Sequence, residues 1–337
     1  MEAVTSFVWA SGPVQQALVS RLAGVPSAAP VRIVGSVDEV VRGARPSDVV
    51  FVDHTTIDSL AKTAVASPIV AISEERVPSA IGWFLSYPGV SHVISVSMLE
   101  QKLVERHLAH VYETLAAERP RLLDWLEAGV EGRRIRLTHA SRRIARLERM
   151  SEYISERGAS ARTVERMRDV AEELLTNAFY DAPVAAGVLP KPVPRTYDIA
   201  LPEDCACDLA YGCSDDIAIV HVRDPFGSLT RKRLLDVLSR CAASDMSVQV
   251  DETMGGAGLG MWRIFTQSMF VAVSVQKQRH TEILVGVAKR GGGARKPFGF
   301  HLFFNEAPRR RRWFLAKDET SIPSGIDKSV MLKTESD

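Results

Sequence analysis

Short apolar runs alternate with amphipathic stretches over roughly the first third of the chain. The apolar runs are rich in β-branched residues and lie at positions 6–10, 31–35, 48–53, 69–73 and 92–97. Between them, apolar residues recur at helical spacing, as in the stretch that begins near Pro13 and ends near Gly24. Strands that are apolar throughout and alternate with helices indicate a parallel sheet covered on both faces. The pattern predicts a doubly wound α/β domain over residues 1–118.

The next part of the chain is predicted to be helical. Residues 98–130 have helical periodicity that is interrupted at Pro120. We assign 119–132 to a helical linker. The helical stretch could complete the first domain and connect it to a second one, or it could mediate self-association as a homodimer.

From residue 133 the order of elements changes. A strand and two helices are followed by a Pro-rich loop at 184–204, two strands, a helix, a glycine-rich stretch, a short helix and a hairpin. We expect the longer helix to run from about residue 162 to 180 and to stop before Pro183. This order predicts an α/β sandwich with a mixed sheet, of the α+β type, over residues 133–304. The remainder, 305–337, is predicted to be a polar tail.

Composition restricts the class of protein. A chain of 337 residues exceeds one typical core, so two domains are expected. The net charge of +1 gives no field that would draw the protein to nucleic acid or to a membrane surface. No apolar run reaches the roughly 20 residues that span a bilayer, and the first residues lack the basic flank of a signal peptide. We therefore expect a cytoplasmic protein without a membrane or nucleic-acid partner.

The chemistry concentrates on the longer predicted helix. Glu173, Asn177 and Asp181 recur at four-residue intervals and should therefore share one stripe beside the apolar face. Further along, Asp224 ends an apolar strand. A glycine-dense loop at 255–260 then leads directly into a helix, a geometry that lets backbone N–H groups approach phosphates. Taken one at a time, each of these features is common on protein surfaces.

In this order the features resemble a known family. Residues of about 133–288 resemble the GHKL ATP-binding domain of gyrases, mismatch-repair proteins, chaperones and histidine kinases. The segment "EELLTNA" and the two helices around it are most similar to the serine kinases that act as bacterial anti-sigma factors. The resemblance implies a GHKL sandwich that binds ATP and Mg²⁺. It also implies a protein partner, either a sigma-factor regulator or another signalling protein.

The resemblance assigns roles to individual residues. Asn177 would supply its side-chain oxygen to Mg²⁺, and Glu173 would act on the attacking hydroxyl or water as the catalytic base. Asp224 would accept a hydrogen bond from the adenine amino group. The other residues that it places around the nucleotide are Asp181, Gly227, Gly256, Gly258, Gly260 and Thr281.

Three residues depart from the family pattern. Phe226 and Ser228 stand where the family has glycines, so they could narrow or reshape the adenine pocket. Asp181 stands where a histidine often follows in the anti-sigma kinases. Its carboxylate could repel phosphates or could help to hold the metal ion, and the sequence leaves both possibilities open.

The first domain resembles a phosphoacceptor receiver of the flavodoxin-like class in its topology. Asp53 closes the third predicted strand, the position of the phosphorylated residue in receivers, and Ser73 closes the fourth. The acids expected after the first strand are replaced by "WASG", and the expected lysine after the fifth strand is missing. Without them, phosphoryl transfer to Asp53 would lose most of its electrostatic stabilisation. A pseudo-receiver used for docking is favoured over a phosphorylated one.

Other candidate features give weaker signals. His107, His110 and His139 lack the neighbouring acid of a phosphoacceptor histidine, so they are interpreted as structural. The four cysteines, Cys205, Cys207, Cys213 and Cys241, lack zinc-site spacing. The basic run 309–312, followed by two aromatic residues, is interpreted as part of a solvated tail, although it could touch an acidic partner.

These observations lead to one preferred hypothesis and two alternatives. The preferred function is ATP-dependent control of a partner protein, through nucleotide-dependent binding or phosphorylation on Ser or Thr. The alternatives are a non-catalytic signalling scaffold with a degenerate ATP site and an atypical histidine kinase.

Overall fold

The structure is a computed structural model that describes residues 4–61, 63, 65–74, 76–117, 121–127, 132–242, 259–290 and 296–305. The described residues form two compact units. Unit 1 draws on Met1–Arg121, Met269–Val271 and Gly292–Phe303, and unit 2 on Leu122–Ser268, Ala272–Gly291 and the residues from Phe304 on.

Strands and helices alternate through unit 1. The strands of the chain are β1 Ser6–Trp9, β2 Val31–Ile33, β3 Val49–Asp53, β4 Ile69–Ser73, β5 Val90–Ser95, β6 Gly132–Leu137, β7 Cys207–Cys213, β8 Ile217–Asp224, β9 Phe270–Gln276, β10 His280–Ala288 and β11 Gly299–Asn305. The α-helices are α1 Gly12–Leu22, α2 Val37–Gly43, α3 Ile57–Ala61, α4 Val77–Ser86, α5 Val96–Leu99, α6 Val104–Ala116, α7 Leu123–Glu127, α8 Arg143–Glu156, α9 Ala161–Thr176, α10 Ala182–Ala185, α11 Arg231–Ala242 and α12 Leu259–Gln267. None of the described helices is long and apolar enough to cross a bilayer.

The sheet of unit 1 has the spatial order β2-β1-β3-β4-β5-β11. The pairs from β2 to β5 are parallel, and β11 joins β5 antiparallel with His301 opposite His92. Every residue of β3 and β4 is buried, as expected for parallel strands covered on both faces. The prediction of an α/β region with a parallel sheet is therefore confirmed.

The sheet of unit 2 has the order β9-β10-β8-β7-β6. The pairs from β10 through β8 and β7 to β6 are antiparallel. Helix α9 packs on β8 and β10, with α8 and α12 against it. Its apolar stripe forms part of the core, since Met167, Val170, Leu174 and Phe179 are at most 4% exposed. The chain thus combines parallel and antiparallel strands, as predicted for a mixed α/β architecture.

The long helix does not end where the sequence predicted. After α9 the backbone continues as a π-helical turn over Asn177–Asp181 and then as α10. Pro183 lies in the first turn of α10, where its missing N–H would have no helical partner anyway. The expectation that the helix stops before Pro183 is therefore wrong.

Candidate functional site

Helix α9 is anchored to the sheet at its first turn. The Thr163 backbone N–H donates to the Ser160 hydroxyl at 3.2 Å, which caps the helix. The Thr163 hydroxyl donates to the carbonyl of Ala288 at 3.0 Å, and the Ser160 N–H donates to the carbonyl of Lys289 at 3.2 Å. These contacts fix the helix start to the end of β10, so the polar residues further along α9 have a defined place above the sheet.

Two of the predicted site residues meet near the end of α9. The Asn177 side-chain N–H donates to Glu173 Oε1 at 3.4 Å, a long hydrogen bond between successive turns. A Cβ built on Gly260, at the start of α12, would lie 2.0 Å from Glu173 Cδ. Only a glycine lets the backbone of α12 come this close to the carboxylate. The structure therefore brings together Glu173, Asn177 and Gly260, which are distant in sequence.

The Glu173 carboxyl group is half-buried, and its environment disfavours the charge. Burial raises the pKa of this carboxyl above its ordinary value, and the Arg195 guanidinium opposes that shift. The hydrogen bond from Asn177 also favours the charged form, whereas the neighbouring carboxylate of Asp181 disfavours it. A carboxyl group with a raised pKa is suited to accepting a proton near neutral pH.

Asp181 is paired with a cation from the Pro-rich loop. Arg195 Nη2 lies 3.7 Å from Asp181 Oδ2. Burial raises the pKa of the Asp181 carboxyl, and the charges of Arg195 and Arg233 lower it. The extra carboxylate that the sequence left unexplained therefore lies beside two guanidinium groups.

The loop is tied to the π turn by Tyr180. Its hydroxyl lies 2.9 Å from the carbonyl oxygen of Arg195 and 2.6 Å from that of Tyr197, and donates to this pair. The Arg143 guanidinium stacks over the Tyr180 ring at 4.9 Å from its centroid. Sequence reasoning gave the loop at 184–204 no role beyond connection and missed Arg195, because nothing in the linear sequence links it to α9.

A second cluster lies on the paired strands β8 and β10. Asp224 and Thr281 are directly opposite each other and are 7% and 4% exposed. Burial raises the pKa of Asp224 to about 6, although the N–H groups of Phe226 and Gly227 both donate to its Oδ1, at 2.8 and 3.3 Å. The buried Thr281 hydroxyl makes no hydrogen bond within the described part of the chain, although it lies close enough to favour the charged Asp224.

These two clusters fit a bound adenine nucleotide. A buried carboxylate beside a buried hydroxyl without a partner can take the amino group and ring nitrogen of a purine, because both groups would otherwise stay underused away from water. Glu173, Asn177 and the closely approaching start of α12 suit the phosphate and metal end. Gly256 and Gly258 lie outside the described residues.

Phe226 occupies one of the two positions where glycine was expected. It is 1% exposed, and it lines a cavity of about 220 Å³ together with Gly227 and Ser228. The cavity is closed on its other sides by residues of α10, β9 and the end of β11, and it includes none of Glu173, Asn177, Asp224 or Thr281. It therefore adjoins the candidate site without coinciding with it. The Ser228 hydroxyl donates to the carbonyl of Ala182 at 3.1 Å, so its role here is structural.

Asp53 of unit 1 is fully occupied by hydrogen bonds. Its Oδ2 accepts from the N–H and the hydroxyl of Ser11, both at 2.6 Å. Its Oδ1 accepts from the N–H and hydroxyl of Thr55 and from the Thr56 hydroxyl, at 2.9, 2.6 and 3.2 Å. Burial alone would raise the pKa of this carboxyl, but the hydrogen bonds outweigh it and lower the pKa to about 2. Ser11 belongs to the "WASG" segment that replaces the expected acids.

The candidate phosphoacceptor histidines differ in exposure. His107 and His110 are 3% and 8% exposed, and His107 Nε2 lies 2.8 Å from His301 Nε2. Burial lowers the pKa of His107 to about 3, so this ring is neutral. His139 is partly exposed and hydrogen-bonds through Nδ1 with the Thr138 hydroxyl at 2.9 Å. Buried imidazoles do not offer a nitrogen to a phosphate donor from solution.

The remaining sequence features form no site among the residues that the structure describes. All four cysteines are buried free thiols, and burial raises the pKa of Cys207 well above its ordinary value. No three His, Cys, Asp or Glu side chains converge as metal ligands in these described ranges. The basic run 309–312 lies outside them.

The chain was compared with models of known protein families and with curated proteins, and neither comparison gives a match. The candidate site therefore depends on its own geometry and on the motifs in the sequence.

Proposed function

We propose that unit 2 binds ATP together with Mg²⁺ and that this binding controls a partner protein. The control would operate by nucleotide-dependent binding or by phosphorylation on Ser or Thr, as in the anti-sigma-factor serine kinases that the sequence resembles. One observation carries the proposal: α9 and the first turn of α12 bring Glu173, Asn177 and Gly260 together, above strands that pair Asp224 with Thr281.

Asn177 is oriented to act as a metal ligand in this proposal. The nitrogen end of its side-chain amide is engaged by Glu173, which leaves the oxygen end for a hard cation such as Mg²⁺. When bound, Mg²⁺ would bridge the phosphates and neutralise their charge. The amide orientation is thus set by a residue that is itself part of the site.

Glu173 is the proposed base. Its carboxyl group is half-buried, and burial raises its pKa, so it can take a proton from a hydroxyl or water at neutral pH more readily than an exposed glutamate. The hydrogen bond from Asn177 fixes one carboxylate oxygen and leaves the other for the reacting group. At the other end of the site, Asp224 and Thr281 would recognise the adenine ring.

Unit 1 is proposed to be a receiver-like docking domain. The order β2-β1-β3-β4-β5 is that of flavodoxin-like sheets, to which receivers belong. Asp53 at the end of β3 accepts five hydrogen bonds, so no carboxylate oxygen is left open for a metal ion or a phosphoryl group. This favours protein binding over phosphorylation for unit 1.

A scaffold that does not turn over ATP is the second candidate. It is favoured by Phe226, a fully buried side chain at a position where the family that the sequence resembles has a glycine. Such a ring beside the adenine end could retain the fold of the site while reducing the room for nucleotide.

The decisive experiment is ATP binding by calorimetry with and without Mg²⁺, in the wild type and in Asn177→Ala. Binding that requires both Mg²⁺ and Asn177 is expected. Absence of binding at millimolar ATP would exclude the proposal and leave the scaffold.

A second pair of variants separates the two candidates. Glu173→Ala should keep ATP but lose hydrolysis and phosphoryl transfer if unit 2 is an enzyme. Glu165→Ala, on the exposed side of the same helix, is the matched control and should change neither property. Unchanged output in Glu173→Ala would point to the scaffold.

A further inference from the structure

A guanidinium group from the Pro-rich loop lies at the phosphate end of the candidate site. Tyr180 holds the loop by donating to the carbonyl groups of Arg195 and Tyr197. This contact places the Arg195 side chain 3.7 Å from Asp181 and close enough to Glu173 to act on its charge. The guanidinium therefore lies next to two carboxylates that extend along α9 and its π turn.

The ion pair between Arg195 and Asp181 is a loose one. It consists of one contact at 3.7 Å, and the two side chains are 38% and 39% exposed. Pairs with this exposure contribute about 0–1 kcal/mol, because water screens them and both side chains lose freedom. A phosphate group offers a guanidinium a stronger alternative, since it carries more charge and accepts two parallel hydrogen bonds.

The position of Arg195 selects the terminal phosphate rather than the adenine ring. Its neighbours are Glu173 and Asp181, whereas the arginine that acts on Asp224 is Arg223. Glu173 is the proposed base and must lie near the group that attacks the terminal phosphate. A cation beside Glu173 therefore lies at the same end of the nucleotide.

We infer that Arg195 binds the terminal phosphate of ATP and that Asp181 holds its guanidinium when no nucleotide is present. The inference rests on the proposed function, because it assigns a further residue to the same site. It also gives Asp181 a role: this carboxylate is neither a metal ligand nor a simple repulsive charge, but the group that the phosphate replaces. Arg195 thereby distinguishes ATP from ADP, which lacks that phosphate.

The test compares the dissociation constants of ATP and ADP, each with Mg²⁺, in the full-length chain. Arg195→Ala should weaken ATP binding about 10-fold and leave ADP binding nearly unchanged, because one charged hydrogen-bonding group is lost only from the ATP complex. Arg195→Lys should restore part of the preference, since it keeps the charge without the bidentate geometry. Lys191→Ala, which removes an exposed cation of the same loop, should leave both constants unchanged.

Asp181→Asn tests the exchange itself. Removing the competing carboxylate should strengthen ATP binding by up to about 5-fold, in line with a weak ion pair, and should leave ADP binding unaffected. Weaker ATP binding in Asp181→Asn would contradict the exchange and indicate that Asp181 acts in the bound state.

The outcomes separate this inference from the proposed function. If the wild type binds neither ATP nor ADP, both are overturned. If ATP binding depends on Asn177 but Arg195→Ala weakens ATP and ADP equally, or neither, only the role of Arg195 is overturned. Thermal unfolding of each variant checks that a change in affinity does not reflect a loss of fold.

Discussion

A Cβ at Gly227 would lie 2.2 Å from the carbonyl oxygen of Gln276. Gly227 also has a φ of +59°, in the left-handed region that residues with a Cβ avoid, and its carbonyl accepts from the Gln278 N–H at 3.1 Å. The turn after Asp224 is thus in close contact with the turn between β9 and β10. This contact holds the backbone whose N–H groups donate to Asp224.

Gly227→Ala is expected to destabilise the protein by about 3 kcal/mol, because strain in φ and a backbone clash add together. Gly187→Ala is the matched control, since Gly187 has a φ of +73° but no atom within 4 Å of a Cβ. It should cost about 1 kcal/mol, from the backbone conformation alone. Urea unfolding of both variants measures the difference, and equal losses would show that the contact with Gln276 relaxes at no cost.

Gly260→Ala is expected to displace the Glu173 carboxylate, because the new methyl group would occupy its position. The variant should lose ATP affinity and stability together, the latter by about 1–3 kcal/mol. In the Glu173→Ala background the same substitution should cost much less, because the obstructing carboxylate is gone. A double-mutant cycle by urea unfolding measures this coupling. Additive effects would mean that α12 moves away from α9 instead.

Asp224 should make stability fall as the pH rises from about 4 to 6. The folded protein keeps this carboxyl protonated up to about pH 6, whereas the unfolded chain releases the proton near pH 4. The protonated form therefore favours folding, and the contribution lost by pH 7 is about 3 kcal/mol. Asp224→Asn keeps the acceptor for the Phe226 and Gly227 N–H groups but cannot titrate. Its free energy of unfolding relative to the wild type should rise over this pH range, and a constant difference would contradict the shift.

Asp53→Asn is expected to destabilise unit 1 by about 2–4 kcal/mol, because an amide cannot accept all five hydrogen bonds and leaves buried donors unpaired. The lowered pKa of Asp53 gives the opposite pH dependence to that of Asp224. Its stabilising charge is present above about pH 4 and is lost as the pH falls towards 2.

The same hydrogen bonds predict that Asp53 resists small phosphoryl donors. Incubation with acetyl phosphate and Mg²⁺ should leave the mass of the protein unchanged. A mass increase of one phosphoryl group that disappears in Asp53→Asn would restore a phosphorylated receiver.

Local periodicity was enough to predict the main elements. The buried strands β3 and β4 are continuous apolar runs, and Glu173 meets Asn177 because residues four apart in a helix are neighbours. These features depend on contacts within one element or on burial alone. Such contacts are the ones that a sequence pattern records directly.

Long-range contacts were not predictable in this way. Nothing in the sequence of β11 indicates that it pairs with β5, because an apolar strand can join many edges. The pairing of Arg195 with Asp181 depends on a loop whose course is set by the Tyr180 hydroxyl. Pro183 was interpreted as a helix stop because proline usually ends a helix, and the π turn that accommodates it leaves no signal in the periodicity.

The π turn makes the number of residues between Asn177 and Pro183 critical. An α-helix advances by about 100° per residue, so removing one residue from 178–181 would restore an ordinary helix and rotate everything after it by that angle. Asn177 and Glu173 would keep their places, whereas the carboxylate after them would turn away from the loop that carries Arg195. The extra residue thus divides the helix into two segments with independent phase, one facing the metal end and one facing the loop.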